Sequence, residues 1–174
     1  MRTIDGYSFT VIVDSREKKS LAKEYFDKHK IEYVTEKLAF GDYSLYLRDK
    51  DGNIIHCGNK FALERKSSLD ELIQNVARKE HRKRFIEEFN HAKSLGAKVD
   101  VFIEDELWHS KMLNGNYFSK TPIKAVRGYI AYFQQKFGFT ITGVNKENTG
   151  AYVIDRLIYF AKDYINGGLK WLTK

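Results

Sequence analysis

The densest chemistry-bearing string in the chain is Glu64-Arg65-Lys66, an acid with a lysine two residues later and Asp70 four residues beyond that lysine. Two other acid-bearing strings precede it. Asp14, Arg16 and Glu17 follow the apolar run Phe9 to Val13, and Gly41-Asp42-Tyr43 opens a later run. Side chains in a strand alternate with period two, so Glu64 and Lys66 share a face that excludes Leu63 and Arg65. An acid and a lysine on one face, with a second acid from a neighbouring strand, suit metal-assisted phosphodiester hydrolysis. Mg²⁺ is a hard ion that commonly takes one or two carboxylates, waters and a substrate phosphate. Such an ion polarises the phosphoryl oxygen and acidifies a bound water. Lysine, ordinarily near a pKa of ~10.4, is a cation at neutral pH. It can orient the attacking water and offset developing charge, or act as base if desolvation lowers its pKa. Residue types leave both roles open.

Strand ends must deliver these groups to one cleft. Phe9 to Val13 is β-branched and apolar, short enough for a buried strand. Asp14-Ser15 reads as the cap of a helix ending near His29. Ile31 to Lys37 and Asp42 to Arg48 read as strands, residues 49–53 as a turn, and a further strand ends in Glu64. These three are expected to form an antiparallel meander beside the first strand. Ser67-Ser68 caps a helix from Leu69 to Ala77, followed by a helix from Lys79 to Leu95 closed by Gly96. Lys98 to Ile103 reads as a strand. Thr121-Pro122 opens a helix to Phe137 closed by Gly138. A short strand, Phe139 to Thr142, and a helix from Asn148 to Ile165 complete the chain. Strands enclosed by helices predict an α/β fold with a mixed central sheet.

The composition removes other function classes. At 174 residues with 43% hydrophobic content, one domain with one core is expected and global disorder is excluded. One cysteine, Cys57, rules out an internal disulfide framework and a Cys-rich zinc site. No apolar run approaches the ~20 residues of a membrane span, and MRTIDGYSF lacks a secretory stretch. GxxxxGK[ST], GxGxxG, HExxH and GxSxG motifs are all missing, and the five histidines show no paired ligand spacing. Thirty Lys+Arg against 23 Asp+Glu give +7, which suits a polyanionic partner. Residues 78–84 concentrate that charge, with five fixed positives and one negative in seven residues. A solvated helix face would read the same way.

The string GDYSLYLRDKDGNIIHCGNKFALERKSSLD resembles the GD…ERKxxxD signature of the XPF/Hef-type nuclease family, and the preceding VDSRE resembles that family's first motif. VFIED at 101–105 looks like its next strand, and the likeness continues through TPIKAVRGYIAYFQQKFGFTI, about residues 9 to 165 in all. This resemblance implies a restriction-endonuclease-like, PD-(D/E)xK-type nuclease core. It implies a Mg²⁺- or Mn²⁺-dependent DNA endonuclease acting on branched DNA (a flap, fork or junction) in repair, recombination or replication. By the same likeness Asp42, Glu64 and Asp14 are the metal ligands, and Lys66 the catalytic lysine. Glu17 completes the site, Arg16 and Arg65 hold phosphate or neighbouring carboxylates, and Asp70 orients the site. In that setting Arg78, Lys79, Arg82, Lys83 and Arg84 track the DNA backbone. Two other readings compete: a non-cleaving DNA-binding or scaffold subunit, and a nuclease of linear or single-stranded DNA.

Family members often carry helix-hairpin-helix modules or a helicase, and neither is found in 1–174. A stand-alone intracellular nuclease is therefore expected, with a protein partner possible for targeting. Its place would be the cytoplasm of a prokaryotic or virus-infected cell, or the nucleus of a eukaryotic one. The helices at 121–137 and 148–165 are apolar on more than one side. A surface helix needs only a stripe about 100° wide. The excess fits a homodimer, which the family likeness also implies; a helix pair deeply buried within one domain would leave the same pattern. Trp171 in the tail could dock on that surface, and WHSKMLNGNYFSKT at 108–121 reads as surface or as a DNA-contacting loop.

Overall fold

The computed structural model describes residues 3–18 and 20–167. The run Phe9–Val13 sits inside strand β2 (Tyr7–Asp14), preceded by a two-residue strand β1 (Thr3–Ile4). Helix α1 (Leu21–Lys28) follows, capped by Ser20, whose hydroxyl accepts from Lys23 N at 3.3 Å. Asp14 is therefore not the cap, because its carboxylate is already bonded elsewhere. Phe26 and Ala22 of α1 are wholly buried against the sheet, a burial of about 2–3 kcal/mol for the phenylalanine.

The expected meander is corrected by α1. A strand–helix–strand crossover brings the chain back in the same direction, so β3 (Tyr33–Glu36) pairs parallel with β2, Val11 opposite Tyr33. The antiparallel neighbour on the other side of β2 is β4 (Tyr43–Arg48), with Val13 opposite Tyr43. The expected long returning strand is broken by a 3₁₀ turn at 57–59 into β5 (Ile54–His56) and β6 (Phe61–Lys66). β4 and β6 pair antiparallel at Tyr43 and Leu63. Helices α2 (Leu69–Ala77) and α3 (Lys79–Ser94) lead to β7 (Lys98–Ile103), which runs parallel to β6. An unexpected helix α4 (Trp108–Asn114) buries Trp108 and Met112 within the stretch read as surface. Helix α5 (Ile123–Phe137), the edge strand β8 (Ile141–Gly143) and helix α6 (Thr149–Asn166) follow.

The sheet order is β1-β2-β4-β6-β7-β8, with β3 beside β2 and β5 beside β4. Alternation along β7 separates two cores. Phe102 joins Phe26, Leu63, Val153 and Leu157 beneath α1 and α6, while Val101 and Ile103 join Ile73, Phe85, Ile130 and Phe133 beneath α2 to α5. Helices α5 and α6 therefore stand on opposite faces of the sheet. Part of the apolar excess on α6 is internal, since Phe160 stacks on Phe61 at 5.4 Å. Trp171 lies outside the described residues. No helix among the described residues is long and apolar enough to cross a membrane.

Candidate functional site

Gly41 explains the geometry of the Gly-Asp pair. Its φ is +71°, and a Cβ there would lie 2.7 Å from the Ala62 Cβ. Only glycine combines that left-handed turn with so close an approach to β6. The turn lets Asp42 N donate to Leu63 O at 2.7 Å, while Asp42 O accepts from Asp14 N at 2.8 Å. One turn thus holds the ends of β2 and β6 against the start of β4. The Asp42 carboxylate accepts from Arg65 N at 2.7 Å. Burial, and then the charge of Glu64, push its pKa well above the ordinary carboxylate range.

Alternation along β6 sends its charged residues two ways, as the strand period requires. Glu64 and Lys66 turn to the face carrying α2 and α3, and both are buried, at 6% and 5% exposure. Lys66 Nζ donates to Glu64 Oε1 at 2.5 Å and lies 5.9 Å from the Phe85 ring centre. Burial works against the ammonium, but Glu64 and Asp42 outweigh it and raise the pKa above lysine's ordinary value. Lys66 is a cation here, and the general-base role has no electrostatic support. A cleft of about 260 Å³ opens over this pair, lined also by Arg16 and by His81, Arg84 and Glu88 of α3. Glu88 is pushed up to about 7, first by burial and then by Glu64.

Asp14 is wholly buried behind Arg16. Its oxygens accept from Leu38 N at 2.7 Å, from Arg16 N at 2.8 Å and from Arg16 Nε at 2.7 Å. Burial opposes its charge, yet these bonds hold its pKa below the usual range. Asp14, expected to bind metal, here fixes Arg16, whose half-exposed guanidinium also nears Glu88 at 3.7 Å. On the opposite face Arg65 forms a fork with Glu104, Nε to Oε1 at 2.8 Å and Nη2 to Oε2 at 2.6 Å. Its Nη1 meets both oxygens of Glu17 at 3.2 and 3.3 Å. Of the two roles open to Arg65, it takes the carboxylate-binding one.

A domain-family model, the ERCC4 domain, matches residues 13–157, a span holding every group just described. The chain belongs to the ERCC4 domain family. In three dimensions this ERCC4 domain is similar to XPF from Aeropyrum pernix, with TM-score 0.59 at 17% identity, covering 90% of this chain and 68% of that one. A structure of XPF from Aeropyrum pernix in complex with DNA gives TM-score 0.58 at 15% identity, covering 90% and 66%. The chain thus spans about two thirds of those solved chains. The likeness establishes the fold, a mixed sheet flanked by helices as in that restriction-endonuclease-like nuclease domain. No curated protein matches the sequence.

Other expected residues are not gathered into the cleft of the ERCC4 domain. Asp70 accepts the N–H groups of Phe118 and Ser119, both at 2.9 Å, and so anchors the loop before α5. The basic run 78–84 is dispersed by the helical period. Arg78 is exposed at the α2–α3 joint, Arg82 stacks on Tyr129 at 5.3 Å, and Arg84 lines the cleft. Lys83 points outward to Glu87, and Lys79 is exposed. Glu104 and Glu88 were missed. Glu104, two residues after Phe102 in VFIED and so on its face by strand alternation, carries a signal in the sequence; nothing in the local pattern of α3 singles out Glu88.

Among the described residues no three His, Cys, Asp or Glu side chains are grouped to hold a metal. The donor chemistry nevertheless fits a hard divalent ion. Asp42 and Glu64 repel across a desolvated gap, a cost that a shared cation relieves, and Mg²⁺ is often held by two carboxylates with waters completing its shell.

Proposed function

We propose that the chain is a divalent-metal-dependent DNA endonuclease. The observation that carries this reading is the buried Glu64–Lys66 pair beside the turn-held Asp42, inside a span matched by the ERCC4 domain. Asp42 and Glu64 are the residues that would hold Mg²⁺ or Mn²⁺. When bound, the ion supplies a polarised phosphoryl oxygen and a more acidic water. The chain's own residues supply the remainder. Lys66, held cationic by its acidic neighbours, opposes the charge that grows on phosphorus-bound oxygens. Arg16, its Nε and Nη2 held by Asp14, presents the rest of its half-exposed guanidinium to an adjacent phosphate. Glu71 contributes at a distance, accepting from Ser67 N at 2.8 Å and fixing the exit from β6.

DNA is the inferred substrate, supported by the net charge of +7 and by the fold shared with a protein solved with DNA. Branched DNA, and a role in repair or recombination, follow from the family likeness of the motifs. A homodimer would form through the helices α5 and α6, where α5 leaves Ile123 and Tyr132 exposed and α6 leaves Tyr159 and Tyr164 exposed.

The test is a labelled panel of flap, fork, junction, linear duplex and single-stranded DNA, incubated with Mg²⁺, Mn²⁺ or a chelator. Cleavage with metal, lost by at least 10²-fold in Lys66→Ala and in Asp42→Asn, is the expected outcome. Undiminished cleavage in either variant removes this mechanism, and binding without cleavage by the wild type would favour a scaffold subunit.

A further inference from the structure

Phe118 is 97% exposed, an unusual state for a ring that ordinarily lowers its free energy by leaving water. Its backbone is not slack. The N–H groups of Phe118 and Ser119 both donate to Asp70, Tyr117 OH donates to Thr121 O at 2.9 Å, and the Ser119 and Thr121 hydroxyls are bonded at 2.9 Å. The loop is tied down on both sides of a ring that it presents to solvent. That ring lines a groove of about 800 Å³ between α2, the loop and α5.

The rest of the groove has a definite chemistry. Arg78 and Lys120 contribute cations, and the Tyr129 ring carries the Arg82 guanidinium stacked at 5.3 Å. Its single acid, Asp70, is engaged through Oδ1 by the two loop N–H groups. An exposed aromatic face flanked by cations suits a nucleotide: the ring takes the base and the cations take phosphate. A base inside a duplex is already stacked on both sides, so a protruding ring reaches only an unpaired or terminal base.

Location points to the same ligand. Asp70 lies four residues beyond Lys66, at most about 14 Å along the chain. That equals about four base steps at ~3.4 Å each. We infer that the Phe118 groove binds an unpaired nucleotide of the DNA strand that continues from the cleft at Lys66, and so selects substrates with a single-stranded arm. This rests on the nuclease reading and adds to it a site for one structural feature of the substrate.

The experiment uses the full chain in chelator, so that binding is read without cleavage. The probes are a blunt duplex and a fork whose tail carries 2-aminopurine a few nucleotides from the junction. Wild type should prefer the fork and quench the 2-aminopurine. Phe118→Ala should lose the quench and about tenfold of the preference for fork over blunt duplex, while Phe118→Trp retains both. Arg78→Ala with Lys120→Ala should weaken fork binding and flatten its salt dependence. Since the ring is exposed, an unaltered melting temperature confirms that Phe118→Ala is folded. Equal quench and equal preference in Phe118→Ala would overturn the proposal and leave the groove to a protein partner. Failure of the nuclease reading shows up separately, as absence of metal-dependent cleavage by wild type with the quench intact.

Discussion

The two faces of β6 carry the same kinds of residue and arrange them in opposite ways. On one face Arg65 meets Glu104 and Glu17, and Glu104 also accepts from Thr149 of α6 at 3.2 Å. Each charge there has a bonded counterpart. On the other face Asp42, Glu64 and Glu88 surround Lys66, and burial and the charge of Glu64 raise the pKa values of Asp42 and Glu88. Arg16 does little to restore balance, because Asp14 already holds it. The first arrangement has no remaining capacity for a ligand and serves the fold. The second packs like charges into a desolvated cleft, a cost that marks it as a candidate functional site. The contrast distinguishes a saturated face from the one proposed to be reactive, without reference to any relative.

The sharpest way to break this contrast is to truncate the saturated side. Arg65→Ala leaves Glu104, 2% exposed in its side chain, without its fork. Removing one partner of a buried pair costs about 3–5 kcal/mol. For a chain of this size that corresponds to a fall of roughly 6–20 °C in melting temperature. Thermal unfolding checks it, and a shift below about 2 °C would place Arg65 among surface pairs and dissolve the distinction between the faces.

The reactive face is tested through pH. Glu88 is pushed from its ordinary 4.5 up to about 7 by burial and then by Glu64, with Arg16 and Lys66 opposing and Asp14 reinforcing the shift. The folded state therefore holds a proton that the unfolded chain releases. The associated stability is fully present below about 4.5 and is lost as pH rises through about 7. Glu88→Gln should remove this loss, gaining about 1–3 kcal/mol on wild type at pH 8 relative to the same comparison at pH 4.5. Urea midpoints at the two pH values measure it. Parallel pH profiles for the two proteins would show that Glu88 does not share the acid excess.

Much of this contrast was legible in the sequence, for reasons tied to particular residues. The opposite facing of Glu64 and Arg65 follows from strand alternation alone, and Gly41-Asp42 carries its own backbone requirement. Caps at Ser68 and Gly138 are local signals, and both helix ends fall where those signals place them. What stayed hidden depends on distant chain segments. Asp14 looked like a helix cap because its partner Leu38 N lies 24 residues away. Which partner Arg65 takes stayed open because Glu104, 39 residues on, becomes its neighbour only through β6–β7 pairing. The parallel pairing of β3 required knowing that α1 crosses back over the sheet. Helix α4 is short, and only the burial of Trp108 and Met112 against α5 identifies it.

The basic run supplies the finest test, since helical rotation assigns its members different work. Lys83 projects from the outer side of α3, paired with Glu87 at 3.9 Å, with both side chains more than half exposed. An i,i+4 pair in water contributes only about 0.3–0.5 kcal/mol. Lys83→Ala should therefore leave the melting temperature within about 2 °C of wild type. Its effect on DNA should be confined to the non-specific component, at most about one unit in the slope of log affinity against log salt. Arg82 differs, because its guanidinium lies on Tyr129 and joins α3 to α5. If Lys83→Ala lowered fork preference as strongly as loss of Phe118, residues 78–84 would act as one patch, and their division among three faces would have no functional meaning.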